Sequence, residues 1–500
     1  MIHYVLPLTH GAIAALLLAG WWLPARVKSG VAMGASVVGM IAGGVTFALH
    51  NSGETWRAIT FDGSETAVAS AAAVCAWLVV GVLDLGERRY SSAAFTGVAA
   101  SGLVLFASSG WSVPALLFWA MASIAALGLI VRTGDGERAL HVMILLVSDA
   151  LLAGALLWHT LDHDSWALPS PARGGAFWLA LAGALIRSGV VPRAGPWGLL
   201  GTSSASVLPL LAGGGAVIAG KVAGRPEPWL AVALLLLATW ISIRGVLSSG
   251  VRLGVLAVWP AALGMAAIYV GADAVGVGGL ALVVAATVHA VWHERPAVVS
   301  VESAAALAVV PTTVGFAAVA VTASAAFFRT DLAESVSDKA PWVAVASVLP
   351  VALCASFTCA ARIARDARAP AETRRITAWA LRALLVASLM TGGAATTTGE
   401  LGAPAPSELW LLVAAALVAT VVGVTCAIYK REPVVEGAGS GAATASGGAK
   451  GGDAIEIAVD RLHPPGWLAR VVTPLTILVV LCSLGALAYI TFEGLRQGFL

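Results

Sequence analysis

Charged residues are scarce in this 500-residue chain: 11% of positions are Asp, Glu, Lys or Arg, and 59% are hydrophobic. About a quarter of the positions in a soluble domain are charged, so the composition excludes a soluble multidomain enzyme, a secreted disulfide scaffold and a nucleic-acid binder. Cysteine is also rare, with five residues inside apolar runs and no CxxC pair. We therefore expect small buried thiols, and neither disulfides nor zinc sites.

Other familiar signals are missing as well. The chain has no nucleotide-binding loop, no evident nucleophile with its base and no metal-ligand set, so we expect no cofactor, no metal and no catalysis by this chain alone. The first apolar run follows no basic segment and precedes no small-residue cleavage site. This pattern predicts a first helix that is retained, and not a signal peptide.

Long apolar runs are what the chain has in abundance. Each can cross a hydrocarbon core of about 30 Å as a helix, which predicts an all-α polytopic protein of the cell membrane with about 14 to 16 transmembrane helices. The sixteen candidate spans cover residues 3 to 23, 31 to 49, 66 to 84, 92 to 109, 112 to 131, 139 to 158, 175 to 192, 199 to 220, 228 to 247, 252 to 271, 273 to 293, 301 to 328, 341 to 363, 376 to 397, 408 to 429 and 468 to 492.

The number of Lys and Arg residues in successive loops alternates between high and low along the chain. If the first connection is cytoplasmic, loops on that side hold twenty Lys and Arg, and loops on the other side hold seven. Positively charged loops are retained in the cytoplasm, so both termini are predicted to lie outside. The two remaining basic residues, Arg187 and Arg382, fall inside spans.

The spans fall into groups. We predict N-terminal transmembrane helices in 1–90, further helices in 376–430 and a C-terminal transmembrane helix in 467–500. The Gly/Ala/Ser-rich segment 432–466 between the last two groups is typical of a flexible tether, with a partner-docking segment as the alternative.

Ionisable residues within spans are candidates for function, because each costs several kcal/mol in lipid unless it is paired or hydrated. Asp149 lies mid-span in HVMILLVSDALLAGALLW, and Arg187 lies in GAFWLALAGALIRSGVV. Two readings are open: a static ion pair that locks two helices together, or a hydrated charge on a proton or ion path.

A second group of ionisable residues lies later in the chain. His289 and His293 are four residues apart, on one helical face, and Glu302 follows at the start of the next span. A proton relay, a metal pair and two interfacial histidines are the alternatives for this pair. The cluster HTLDHD at 159 to 164 is read as a hydrated helix end, with a metal site as the alternative.

Two spans carry helix breakers. Pro192 ends one span, and Pro311 with Gly315 interrupts another. Broken helices free backbone groups that line ion paths in transporters, although a plain proline kink explains many such cases. The glycine-rich run at 211 to 220 predicts close helix packing.

Several stretches together resemble the antiporter-like membrane subunits of complex I and Mrp antiporters. The similar stretches are FDGS at 61–64, ALIRSGVVP at 184–192, GVRLGVLAVWPAALG at 250–264, the HxxxH of His289 and His293, and PTTVGF at 311–316. The resemblance implies two inverted five-helix repeats, at 91–222 and 228–363.

Further details resemble DabB, the membrane subunit of a two-component transporter of dissolved inorganic carbon. They are FWAMAS at 118–123, with Trp119 and Ser123 but no Glu after the Trp, ALHVMILLVSD at 139–149 and SSASVLPLLAGGGAV at 203–217. This resemblance implies ion-driven uptake of CO2 or bicarbonate with a larger peripheral partner, a zinc protein like carbonic anhydrase.

The chain departs from the wider superfamily at its charged positions. Ala120, Ala297 and Val319 stand where respiratory relatives place a Glu and two lysines. What remains is an Asp149/Arg187 half and a His289/His293/Glu302 half. Two alternatives therefore stand beside carbon uptake: a subunit of a respiratory or hydrogenase-type complex related to NADH-quinone oxidoreductase, and a degenerate anchor that conducts nothing.

Overall fold

The computed structural model describes most of the first half of the chain and parts of the second. The described residues are 5–24, 27–28, 30–31, 34–35, 38–39, 42, 90–133, 138–163, 166–168, 172–190, 208–224, 227–247, 262–270, 322, 325–326, 329–330, 333–366 and 466–496. In these ranges the regular secondary structure is helical, and an isolated antiparallel bridge joins Trp111 to Ala167.

Nine helices are labelled here. They are α1 Val5–Ala19, α2 Tyr90–Ser108, α3 Ser112–Thr133, α4 Arg138–His163, α5 Gly174–Arg187, α6 Leu208–Val222, α7 Pro228–Leu247, α8 Val336–Asp366 and α9 Gly466–Arg496. Each overlaps a predicted span, so a helix is confirmed at nine of the sixteen predicted spans. Residues 262–270, within a tenth, are also helical. The other six spans lie wholly or mostly outside the described residues.

Three of the described helices are long and apolar enough to cross a membrane, by length and composition: Ser112–Val131, Val142–His163 and Val471–Phe492. Four shorter apolar helices accompany them, at Leu6–Trp22, Ala94–Ser108, Gly174–Arg187 and Pro228–Ile243. The chain is an all-α membrane protein. Its division into two inverted repeats stays a prediction, although the predicted first repeat does hold the five helices α2 to α6.

Helix α3 lies at the centre of the described bundle. It packs against α2, α4 and the C-terminal helix α9, while α1 contacts both α2 and α9. The approach of α2 to α3 depends on Gly102, because a Cβ there would come within 2.7 Å of the backbone nitrogen of Ala122. Helix α5 packs between α4 and α6, and α7 packs against α8.

Backbone hydrogen bonds join the helix connections at one end of the bundle, which we call the rim. The bonds link the α2–α3 turn to the segment after α4, the start of α5 to the end of α6, and the start of α7 to the helix at 262–270. They run from Ser112 N to Trp166 O (2.8 Å), Leu168 N to Gly110 O (2.8 Å), Ala172 N to Val222 O (2.9 Å) and Glu227 N to Tyr269 O (2.7 Å).

A buried charged and polar cluster at α3, α4 and α5

Three neighbouring helices bring the candidate residues together. Asp149 lies near the middle of α4, and Arg187 is the last residue of α5. Trp119 and Ser123 are four residues apart on α3, so they share one face of that helix. We call these four side chains the charge cluster. The two residues that were predicted from their position within apolar spans are thus in contact.

The centre of the charge cluster is an ion pair. The Nη1 of Arg187 donates to Oδ1 of Asp149 at 3.0 Å. The arginine side chain is 2% exposed and the aspartate side chain 27% exposed. Removing the carboxylate would leave a buried cation without its counter-charge, which is strongly destabilising in a low-dielectric interior.

The rest of the guanidinium is held by neutral groups. Its Nη2 donates to the hydroxyl of Ser123 at 3.0 Å, and Nη1 also reaches the hydroxyl of Ser148 at 3.4 Å. The guanidinium carbon lies 4.7 Å from the ring centroid of Trp119, a favourable cation–π distance. The side chain is therefore fixed by contacts from both α3 and α4, and a guanidinium keeps its proton at neutral pH.

The two oxygens of Asp149 differ in their surroundings. Oδ1 accepts three hydrogen bonds, from Trp119 Nε1 at 2.7 Å, Ser123 Oγ at 2.9 Å and Arg187 Nη1 at 3.0 Å. Among the described residues no donor reaches Oδ2. The carboxylate is therefore anchored through one oxygen.

Two glycines of α6 make room for this arrangement. A Cβ on Gly214 would lie 3.2 Å from Nε of Arg187 and 3.5 Å from the Trp119 ring. A Cβ on Gly215 would lie 2.5 Å from the carbonyl oxygen of Ala184. The glycine-rich run was predicted to permit close helix packing, and the structure confirms this prediction at the α5–α6 contact.

Helix α5 ends at the charge cluster. After Arg187 the chain turns through Ser188 and Gly189, and Gly189 has a φ of 70°, which side-chain-bearing residues rarely adopt. The turn begins before Pro192, the predicted breaker, which lies outside the described residues. The C-terminal end of a helix also carries partial negative charge, which favours a cation at position 187.

Exposed tryptophans indicate the depth of the cluster. Trp158 on α4 and Trp178 on α5 are 54% and 61% exposed, and tryptophan is enriched at the two membrane interfaces. Asp149 precedes Trp158 by nine residues, and Arg187 follows Trp178 by nine. At 1.5 Å per residue, each lies about 14 Å from its tryptophan along the helix. That is close to half of a 30 Å hydrocarbon core, which predicts a position of the ion pair near the midplane.

The remaining predicted site residues cannot be placed. His289, His293, Glu302, Pro311 and Gly315, like Pro192, lie outside the described residues. The second predicted group therefore stays a prediction.

The HTLDHD cluster is described apart from Asp164. The rings of His159 and His163 stack with centroids 4.2 Å apart, and Asp162 lies 3.7 Å from the His163 ring. No group of three metal-ligating side chains occurs among the described residues. His159 is buried and His163 exposed, as expected at a helix end that reaches an interface.

Two buried ionisable side chains were not singled out by the sequence. His10 on α1 is fully buried, and neither ring nitrogen has a hydrogen-bond partner among the residues that the structure describes. Lys221 is buried in the last turn of α6, which extends two residues past its predicted span. Each lies in or next to an apolar run. Lys221 entered the count of Lys and Arg only as a residue of a loop, and His10 did not enter it.

Comparisons with known proteins identify the fold. No family model matches the chain, and no curated protein matches it significantly. Among solved structures, a chain of respiratory complex I from Thermus thermophilus is similar, with a TM-score of 0.54, 18% identity, and 79% of this chain and 97% of that chain covered.

A chain of the membrane-bound sulfane sulfur reductase, an archaeal respiratory membrane complex, is also similar. Its TM-score is 0.59 at 13% identity, with 99% of this chain and 100% of that chain covered. The chain shares their fold. At such identities these matches carry the fold alone, and the resemblance to antiporter-like subunits and to DabB rests on the sequence motifs.

Proposed function

We propose that the chain is the ion-translocating membrane subunit of a multi-subunit complex that drives uptake of CO2 or bicarbonate. The observation that carries this proposal is the ion pair of Asp149 and Arg187 near the middle of the predicted membrane span. Ionisable groups at that depth are costly, and where they occur in transporters they mark proton or ion paths.

The charge cluster suggests how such a subunit would work. Asp149 is held through Oδ1 while Oδ2 accepts no hydrogen bond within the described part of the chain. A proton bound at Oδ2 would neutralise Asp149 and leave Arg187 without a counter-charge. Arg187 is the last residue of α5 and directly precedes the turn at Ser188 and Gly189. Loss of the ion pair would therefore change the contacts of α5 at the residue where this helix ends.

The fold similarity to chains of respiratory complexes favours a second candidate, a subunit of a respiratory or hydrogenase-type complex. The partner distinguishes the two. If the chain serves carbon uptake, a zinc-bearing protein like carbonic anhydrase is expected to co-purify in mild detergent. If it serves respiration, flavin or iron-sulfur subunits are expected instead.

The test of the proposed mechanism is the variant Asp149→Asn, which keeps the side-chain shape and removes the negative charge. We expect inorganic-carbon uptake and coupled proton flux to be abolished while the complex still assembles. Asp162→Asn is the matched control, since Asp162 lies on the same helix but its side chain is 62% exposed at the helix end. Full uptake in Asp149→Asn would exclude the mechanism.

A double variant addresses the third reading, a degenerate anchor. If the chain conducts, replacing both Asp149 and His289 with Ala is expected to remove proton flux across proteoliposomes that contain the purified complex. Unchanged flux in that variant, with the partner still bound, would support an anchor and contradict translocation by this chain.

A further inference from the structure

The charge cluster has the donor arrangement of an anion receptor. Three N–H or O–H groups converge on one point, Oδ1 of Asp149, from the indole of Trp119, the hydroxyl of Ser123 and the guanidinium of Arg187. Their distances of 2.7, 2.9 and 3.0 Å are those of good hydrogen bonds. The group that fills this receptor belongs to the chain itself.

The charge balance makes the receptor conditional on a proton. With Asp149 ionised, the negative carboxylate and the positive guanidinium cancel. With Asp149 protonated, the cluster carries one buried positive charge, which costs several kcal/mol in a low-dielectric site unless an anion replaces the carboxylate. Arg187 cannot relieve this charge by losing its own proton at neutral pH.

We propose that Trp119, Ser123 and Arg187 form a binding site for a small planar carboxylate-type anion, such as bicarbonate or formate, and that Asp149 is its built-in competitor. A proton bound at Oδ2 of Asp149 weakens the hold of the receptor on this side chain, which rotates out as the external anion takes its place. The site thereby takes up one proton together with one anion, and its net charge is unchanged.

A carboxylate is the anion that the receptor holds in the structure, through a single oxygen that accepts all three hydrogen bonds. Truncating Asp149 to Ala would remove three atoms, one carbon and two oxygens, which formate matches in number and geometry.

This inference rests on the proposed protonation of Asp149 and adds the anion that accompanies the proton. The experiment uses the full-length Asp149→Ala variant, purified in detergent, with its thermal unfolding followed in sodium formate, sodium bicarbonate or sodium chloride at equal ionic strength. We expect formate and bicarbonate to raise the unfolding temperature in a saturable manner. Chloride should need at least a tenfold higher concentration for the same rise.

The second variant tests the receptor itself. Asp149→Ala combined with Trp119→Phe keeps an aromatic ring but removes the indole N–H, and we expect formate affinity to fall about tenfold, the equivalent of one hydrogen bond of about 1.4 kcal/mol. Equal stabilisation by all three salts, or equal formate affinity with and without the indole N–H, would overturn the proposal.

The wild-type chain provides the comparison, because its receptor already holds the carboxylate of Asp149. At one and the same pH, formate should raise its unfolding temperature less than that of Asp149→Ala, and equal stabilisation of the two proteins would contradict the competition. Absence of formate binding to Asp149→Ala would refute the receptor, whatever Asp149→Asn does to transport. Conversely, formate binding together with full transport in Asp149→Asn would retain the receptor and refute the proposed function.

Discussion

The hydroxyl of Ser123 acts in both directions, since it accepts from Nη2 of Arg187 and donates to Oδ1 of Asp149. Ser123→Ala should lower the free energy of unfolding by about 1.5 to 3 kcal/mol, the range for hydrogen bonds to charged groups. Denaturant unfolding in detergent measures this loss.

Ser108→Ala is the matched control, because the hydroxyl of Ser108 is buried but bonds only to carbonyls of its own helix, at Val104 and Leu105. Its loss should be smaller, about 1 kcal/mol or less. An equal loss in the two variants would contradict the role of Ser123 in the charge cluster.

The coupling between Asp149 and Arg187 is measurable by a double-mutant cycle. Arg187→Gln should be destabilising because it leaves a carboxylate without its cation; a fully buried pair costs about 3 to 5 kcal/mol when broken, and partial exposure of Asp149 reduces this. Adding Asp149→Asn should restore part of the loss, since both members are then neutral. Additive losses across the cycle would show that the two charges do not interact.

Residue-scale prediction from sequence succeeded where a charge stood out against an apolar run. Asp149 and Arg187 were identified in this way, and the structure pairs them. The sequence could not show that Ser148 also reaches the guanidinium, since serine is common in apolar helices. His10 was missed because a single histidine in an apolar span indicates no partner, and the described part of the chain provides none.

At the scale of elements, the contact of α5 with α6 depends on two adjacent glycines that differ in what surrounds them. Gly215→Ala would force a Cβ against the backbone of Ala184 and against Ser188, so we expect the helices to separate at a cost of about 1 to 3 kcal/mol. In Gly214→Ala the Cβ would instead lie 3.2 Å from Nε of Arg187 and 3.5 Å from the Trp119 ring, so these side chains need to give way by only a few tenths of an ångström. This variant should therefore affect transport more than stability.

Gly485→Ala on α9 is the control for both glycine variants, because a Cβ there would meet nothing within 4 Å. Its unfolding temperature and its carbon uptake should equal those of the wild type. If Gly215→Ala also behaved like the wild type in unfolding, the close α5–α6 contact would be wrong.

The end of α5 shows the limit of sequence reasoning about elements. Proline is a recognisable breaker, so the break was assigned to Pro192. In the structure the helix already ends at Arg187, and the turn depends on the left-handed conformation of Gly189. Glycine is so frequent in this chain, with 55 residues, that its presence at one position does not predict a turn.

At the scale of the whole molecule, the orientation in the membrane is a prediction from the distribution of Lys and Arg. A fusion of alkaline phosphatase to Leu500 should be active and a fusion of green fluorescent protein there should be dark, because the C-terminus is predicted outside. Fusions within the connection of α3 to α4, at 134–137, should behave in the opposite way. The reverse pattern at both positions would invert the topology.

The order and extent of the helices could be predicted because each apolar run is long and bounded by charges or turn residues. The contacts between helices could not be predicted to the same extent. Helix α9 packs on α3 and α1, near the other end of the sequence. The composition of the preceding linker, 432–466, does not predict which helices α9 contacts. That contact depends on packing between helices that are far apart in the sequence.

The backbone bonds of the rim have a mechanical consequence. They couple the α2–α3, α4–α5 and α6–α7 connections at one end of the bundle, whereas α5 ends at its other end, beside the charge cluster. If α5 tilts, its hydrogen-bonded start is the end that is held in place. The largest displacement would occur at Arg187, so that a small rotation becomes a movement of the charge itself.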